Sequence, residues 1–156
     1  MIIVMDYEDI IVSSPFILNH LISLKETHDY YIKKFINNET EITHSQYYMF
    51  MLLYYEPHVN QSDIAKACFM NRSGVSRAFS EFEKKGLIER QINPNNKREY
   101  ITKLTDKGLK TAKFLEEKEL EWDNMISEEL NLNHQGLLDL LSKLSMKSLY
   151  FNRKKF

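Results

Sequence analysis

The chain has 156 residues, 43% of them hydrophobic and 28% charged, with four glycines, three prolines and one cysteine. That length fits one domain, or one domain with a dimerisation part, and the scarcity of breakers favours long helices; a single cysteine excludes an internal disulfide and any metal site built on paired cysteines. The net charge of −1 gives no overall attraction for nucleic acid, so such an affinity would have to come from how the charge is distributed.

Met1-Ile2-Ile3-Val4-Met5 is apolar but stops at Asp6, lacks a basic flank and is too short for a signal or membrane segment. A cytoplasmic protein with no membrane partner is expected. Ile10, Ile11 and Val12 are too apolar for a free tail and are expected to pack on a partner subunit or on the chain's own helices. Ser14-Pro15 reads as an N-cap and a first helical residue. It opens a helix from about Pro15 to Ile36, along which Ile17, Leu18, Leu21, Ile22, Leu24, His28, Tyr31, Ile32, Phe35 and Ile36 recur at helical spacing. Asn37-Asn38-Glu39-Thr40 is the expected connection. Thr43, with Gln46 three residues later, is a capping box. Tyr47, Phe50, Met51 and Tyr54 then lie on one face with Leu52 and Leu53 beside them, and Pro57 ends the helix.

Two capped helices follow, one short turn apart. The first opens at Asn60 with Asp63 three residues on; the second opens at Asn71 and stops at Gly86, the residue type expected just past a helix end. Ala65 is small enough for the two to cross closely, as a helix-turn-helix requires. Ile64, Ala65 and Cys68 of the first, and Val75, Phe79 and Phe82 of the second, are expected to face inward, Cys68 as a buried, inert thiol between apolar neighbours. That leaves Arg72, Ser73, Ser76, Arg77 and Ser80 on the outer face, residue types that meet base edges and phosphates. After Gly86 the pattern turns extended. Leu87 to Ile92 and Glu99 to Thr102 read as strands around the turn Asn93-Pro94-Asn95-Asn96, with Lys97 and Arg98 at the hairpin tip. Between Asn60 and Lys103 nine Lys and Arg stand against five Asp and Glu, a surplus of four, so the remainder carries −5. A basic module on an acidic body localises attraction for phosphate.

Thr105 caps a helix from about Asp106 to Leu130, with Ala112, Leu115, Trp122, Met125 and Ile126 as its buried stripe and Glu116, Glu117, Glu119 and Glu121 as its wet face. Asn133 caps a last helix carrying Leu137, Leu138, Leu141, Leu144, Met146 and Leu149, before the basic end Arg153-Lys154-Lys155. These helices, with the first, are more apolar than one small subunit needs.

The block resembles the DNA-binding domain of the MarR family of transcription regulators. The resemblance rests on Gln61-Ser62-Asp63-Ile64-Ala65, on Ser73-Gly74-Val75-Ser76-Arg77 and on Phe82 to Arg90. The wing Asn93 to Arg98 and the exit Leu104-Thr105-Asp106-Lys107-Gly108 complete it. The family's wing commonly carries aspartates where this chain has Asn93 and Asn96. The resemblance implies a mainly α fold with a small β-hairpin wing: a winged helix-turn-helix over 43–104, with residues 1–42 and 105–156 as a helical dimerisation region. It implies a homodimeric repressor on a pseudo-palindromic site in double-stranded DNA. The implied DNA contacts are Gln61, Ser62, Asn71, Arg72, Ser73, Ser76, Arg77, Lys97 and Arg98. Family members often bind small aromatic acids between the dimerisation helices and the DNA-binding domain. Here His28, Tyr31, Tyr47, Met51 and Tyr54 would line that place, although the same residues can simply fill the core. Some relatives sense oxidants by a cysteine, which would fall to Cys68.

No phosphate-cradling loop or nucleophile elbow is present, and His20, His28, His44, His58 and His134 show no ligand spacing, so neither an enzyme nor a cofactor is expected. The alternative from another class is a winged-helix module for protein–protein assembly, in which the outer face of the second short helix docks a partner chain.

Overall fold

The computed structural model describes residues 14–57, 59–94, 96–128 and 133–155, with side chains outside 96–99 and 152–155. The apolar segment around Ile10 to Val12, His58, and the side chains of Lys97, Arg98 and the basic C-terminal residues lie outside the described residues. The chain divides into two compact units, residues 1–116 and 117–156.

Helix α1 spans Ile17–Glu39. It starts two residues later than Ser14-Pro15 predicts, with the extended Phe16 at the N-cap. The Ser14 hydroxyl is used just ahead of the helix, accepting from the Phe16 N–H at 3.3 Å and from Asn19 Nδ2 at 2.7 Å. The helix also runs three residues past Ile36, through the stretch expected as a connection, because Thr40 closes its last turn: both the Thr40 N–H and its hydroxyl donate to the Ile36 carbonyl. Ile32 and Ile36 are buried, whereas Phe16, Ile17, Leu18, Leu21, Ile22 and Leu24 are exposed.

Helix α2, His44–Tyr55, opens on the expected capping box of Thr43 and Gln46, with Gln46 Oε1 accepting from the Thr43 N–H at 2.9 Å. It buries Gln46, Tyr47, Met49, Phe50, Met51 and Leu53, more of its circumference than the single predicted face, and so serves as the central helix. Helix α3 spans Gln61–Ala67 and helix α4 spans Arg72–Lys84. Asn60 caps α3 by accepting from the Asp63 N–H at 3.0 Å, and Asn71 caps α4 by accepting from the Gly74 N–H at 2.7 Å. The α4 stripe Val75, Ala78, Phe79 and Phe82 is buried, with Phe82 edge-on to Phe50 at 5.3 Å between centroids.

Both short helices end in the same closure. At α4 the Leu87 N–H bonds to the Phe82 carbonyl at 2.8 Å and the Gly86 N–H to that of Glu83 at 3.0 Å, with Gly86 at φ +67°. At α3 the Met70 N–H bonds to the Ala65 carbonyl at 2.9 Å and the Phe69 N–H to that of Lys66 at 3.3 Å, with Phe69 at φ +52°. This is the Schellman geometry, which glycine adopts without strain and a phenylalanine does not. Phe69 is 92% exposed, so it does not help bury Cys68, contrary to the sequence expectation. Cys68 is half-buried at the rim of the core, and burial pushes its thiol pKa up, away from reactivity.

Strands β1, Ile88–Asn93, and β2, Asn96–Leu104, form an antiparallel hairpin with Ile88 opposite Leu104 and Ile92 opposite Tyr100. The register then jumps to Asn93 opposite Asn96, leaving residues 97–99 as an irregularity on the β2 side. Lys97 and Arg98 thus belong to the first part of β2 rather than to the turn. Helix α5, Asp106–Glu128, follows, and helix α6 spans His134–Lys155. Thr105 joins the hairpin to α5: its N–H donates to the Leu87 carbonyl at 3.1 Å and its hydroxyl to that of Gly86 at 2.6 Å. Of the predicted α5 stripe, Ala112 and Leu115 are buried, Trp122 and Ile126 half-buried and Met125 exposed. Glu116 leaves the predicted wet face to accept the Tyr54 hydroxyl at 2.9 Å. In α6, Leu138, Leu144, Met146 and Leu149 are exposed. Among the described residues no helix is long and apolar enough to cross a membrane.

Two substitutions should move stability in opposite directions. A Cβ at Gly108 would lie 2.0 Å from the Leu87 carbonyl oxygen, where backbone cannot give way. Gly108→Ala should cost about 1–3 kcal/mol despite alanine's helix preference of about 1 kcal/mol. Phe69→Gly should stabilise by about 0.5–1 kcal/mol by removing left-handed strain. Urea denaturation measures both, and a reversal of either sign contradicts the backbone account.

Candidate nucleic-acid interface

The outward side of α4 is set by what its inward side buries. With Val75, Phe79 and Phe82 locked in the core, Arg72, Ser73, Ser76 and Arg77 are exposed over the first two turns. Two of the hydroxyls expected there have local partners. Ser73 Oγ donates to the Asn71 side-chain oxygen at 2.8 Å, reinforcing the cap, and Ser80 Oγ donates to the Ser76 carbonyl at 3.0 Å. Asn71 is therefore a helix cap first, its Oδ1 shared between Gly74 and Ser73. Gln61 and Ser62 open α3 and are half-buried. Arg72 Nη2 reaches Ser62 Oγ at 3.4 Å, which brings the starts of the two helices together. The structure thus groups Ser62, Asn71, Arg72 and Ser73 and leaves Ser76 and Arg77 presented to solvent.

An open cleft of about 220 Å³ runs beside this face, lined by Ser45, Gln46, Met49, Met70, Gly74, Arg77, Ala78 and Glu81. Gln46, buried at the start of α2, donates to Glu81 of α4. The same amide group thus caps α2 and ties it to α4. Sequence reading missed this link because its two ends lie 35 residues apart.

The hairpin is fixed to α4 by another contact not foreseen. Arg90 on β1 directs Nε, at 3.0 Å, and Nη2 onto Glu83 Oε2, and its guanidinium lies 5.5 Å from the Tyr100 ring centroid. Opposite charges seven residues apart were visible in the sequence; that the Gly86 turn folds them together was not.

The residues expected to line a ligand site belong to α1 and α2. The His28 and Tyr47 rings lie 6.3 Å apart, and Tyr31 is edge-on to Phe35 at 5.1 Å, which in turn meets Phe114. Met51 is buried, and the Tyr54 phenol is held above its ordinary pKa by its hydrogen bond to Glu116. Beside His28, Asp29 is paired with Lys25 and lies 3.4 Å from His44 Nε2. Burial pushes the Asp29 carboxyl up, but Lys25 and the neighbouring histidines outweigh it and hold it below the usual carboxylate range. Of the five, His28 and Tyr47 lie ring to ring, while Tyr31 packs on Phe35 and Tyr54 on Tyr55.

Residues 42–100 match the model of the MarR family. Over that stretch the chain is similar to the MarR family. Among its relatives, a Thauera aromatica protein whose name assigns it to transcriptional regulation of the hcr operon is 29% identical over 104 residues, 66% of this chain and 63% of that protein. This chain spans less than two thirds of the length of the curated relatives it matches first. Among solved structures, a MarR transcriptional regulator from Methanosarcina mazei Go1 superposes with a TM-score of 0.75 at 22% identity, covering 88% of this chain and 99% of that one. A point mutant of S. aureus MepR bound to an oligodeoxyribonucleotide gives 0.58 at 20% identity, covering 87% and 99%. These likenesses establish the MarR winged-helix fold.

The division of labour within the cap is measurable. Asn71→Ala should cost about 1 kcal/mol of stability through the lost cap, read by thermal unfolding of the full chain. A variant as stable as its parent would mean that the Asn71 side chain is free for other contacts.

Proposed function

We propose that this chain is a transcription regulator of the MarR family that binds DNA sequence-specifically. We take it to act in the cytoplasm as a homodimeric repressor on a pseudo-palindromic site. The observation that carries this is the polar first two turns of α4, with Ser76 and Arg77 exposed on a helix whose opposite face is locked in the core. Arg offers a bidentate fork to guanine and Ser a hydroxyl to base or phosphate. The oligonucleotide-bound S. aureus protein, which shares the fold, supports the same role. In this reading residues 43–104 carry the DNA contacts, with Gln61, Ser62, Asn71, Arg72 and Ser73 at the backbone. Lys97 and Arg98 of the wing reach an adjacent minor groove.

Arg77→Ala should lower affinity for the preferred duplex by about 1–3 kcal/mol with the fold intact, and replacing Lys97 and Arg98 together should also flatten the salt dependence. A mobility-shift titration at two salt concentrations reads both. Unchanged binding by folded Arg77→Ala removes α4 from base readout, and binding insensitive to salt favours a protein–protein module instead.

Dimerisation is assigned to residues 1–42 and 105–156. Its support is apolar surface that one chain leaves in water: Phe16 to Leu24 on α1 and Leu138 to Leu149 on α6. Patches of that extent mark association surfaces. Sedimentation at micromolar concentration should show a dimer, and a folded monomer there would contradict it.

Release by a small aromatic acid is the remaining part of the reading, supported by the mixed aromatic and polar chemistry of His28, Tyr31, Tyr47, Met51 and Tyr54 on the first two helices. A ligand preferring an off-register dimer by about 1.4 kcal/mol would weaken operator binding tenfold. Calorimetry with salicylate, paired with the shift assay, should show binding and release. No binding at millimolar concentration, or binding without effect on DNA, leaves control to something else.

A further inference from the structure

We propose that Glu83, Arg90 and Tyr100 form a strut that sets the angle between α4 and the hairpin, so that helix and wing can engage one duplex together. The proposal rests on the DNA-binding reading above.

A two-stranded hairpin is marginally stable alone, so its pose is decided by what anchors it. The base of this one is anchored: Leu87 and Ile88 are buried, and Leu104 packs against the core. The outer half is not, since Gln91, Ile92, Tyr100 and Ile101 are all exposed. Arg90 sits at the border between the two halves. On one side both of its described donors converge on a single carboxylate oxygen of Glu83, in the last turn of α4. On the other side its guanidinium lies against Tyr100, two positions further out on β2 than Thr102, which is directly opposite Arg90. The Arg90 side chain is only 18% exposed although it carries a full charge.

A planar guanidinium suits this place because it can fork onto a carboxylate and stack on a ring at once; a lysine ammonium cannot do both. Two of its donors are committed within the protein, which makes Arg90 a positioning residue rather than a DNA contact. Glu83 is 41% exposed, and an ion pair at that exposure contributes little to global stability. The effect of losing it should therefore fall on the angle of the hairpin, and hence on binding, more than on folding.

The test uses the full chain and a duplex enriched by the parent protein from a random-sequence pool. Glu83→Gln and Arg90→Lys should each weaken binding roughly three- to tenfold and reduce the salt slope by about one unit per lost phosphate contact. Hydroxyl-radical footprints should lose protection at the flanks, where the wing would lie, and keep it at the centre of each half-site. Melting temperatures should stay near the parent value. Exchanging the charges in one protein, Glu83→Arg with Arg90→Glu, should recover most of the lost flanking protection. Parental affinity in both single variants, uniform loss of protection, or a charge swap that recovers nothing would overturn the strut. Failure of the parent chain to enrich any duplex would refute the DNA-binding reading itself and take the strut's role with it.

Discussion

Phe82 packs its ring edge-on against Phe50, and the orientation of α4 depends on that contact more than on any other. Both rings are fully buried, one in the last turn of α4 and the other in the middle of α2. Val75 and Phe79 extend the same stripe toward the helix start, and each fully buried side chain of this size is worth about 1.5–3 kcal/mol. Rolling α4 to hide Arg77 would expose all three, so the polar face is turned outward by the cost of exposing the apolar one. The hairpin inherits the same reference, because the Phe82 carbonyl accepts the Leu87 N–H that starts the chain into β1. From there Thr105 and the close approach of Gly108 to Leu87 seat α5 on the same corner.

The two helix closures on either side of α4 show different compromises. Gly86 meets its left-handed conformation without strain and frees Leu87 to bury completely. Phe69 adopts nearly the same geometry with a side chain that gains nothing from burial. The hydrogen bonds to Ala65 and Lys66 hold it there, and the Asn60 and Asn71 caps fix the ends of the segments it joins. Strain is thus placed in the turn of the helix-turn-helix, and α4 itself keeps a regular, well-capped start.

Much of this was legible in the sequence because its causes are local. Asn60, Asn71 and Gly86 act on hydrogen-bonding groups within a few residues, and the Val75, Phe79 and Phe82 spacing needs no knowledge of what lies opposite. The Asn93-Pro94 turn likewise announces the hairpin. The misses have non-local or competing causes. Ser14 gave way to Phe16 as the cap because its hydroxyl binds Asn19 and the Phe16 N–H ahead of the helix. Thr40 carried α1 through Asn37 and Asn38 by closing on Ile36. The bond from Ser73 to the Asn71 cap went unread, while Gln46 to Glu81 and Arg90 to Glu83 depend on tertiary proximity. The apolar residues of α1 and α6 were readable as a surplus, and the single chain leaves them in water.

Whether the core-locked α4 reads bases is decided by selecting duplexes from a random pool with this chain. The expected product is an inverted repeat whose half-sites lie about 10 base pairs apart, one helical turn, as two copies of α4 on one face of the DNA would require. Recovery of no common sequence, or of unrelated sites without two-fold symmetry, would contradict it.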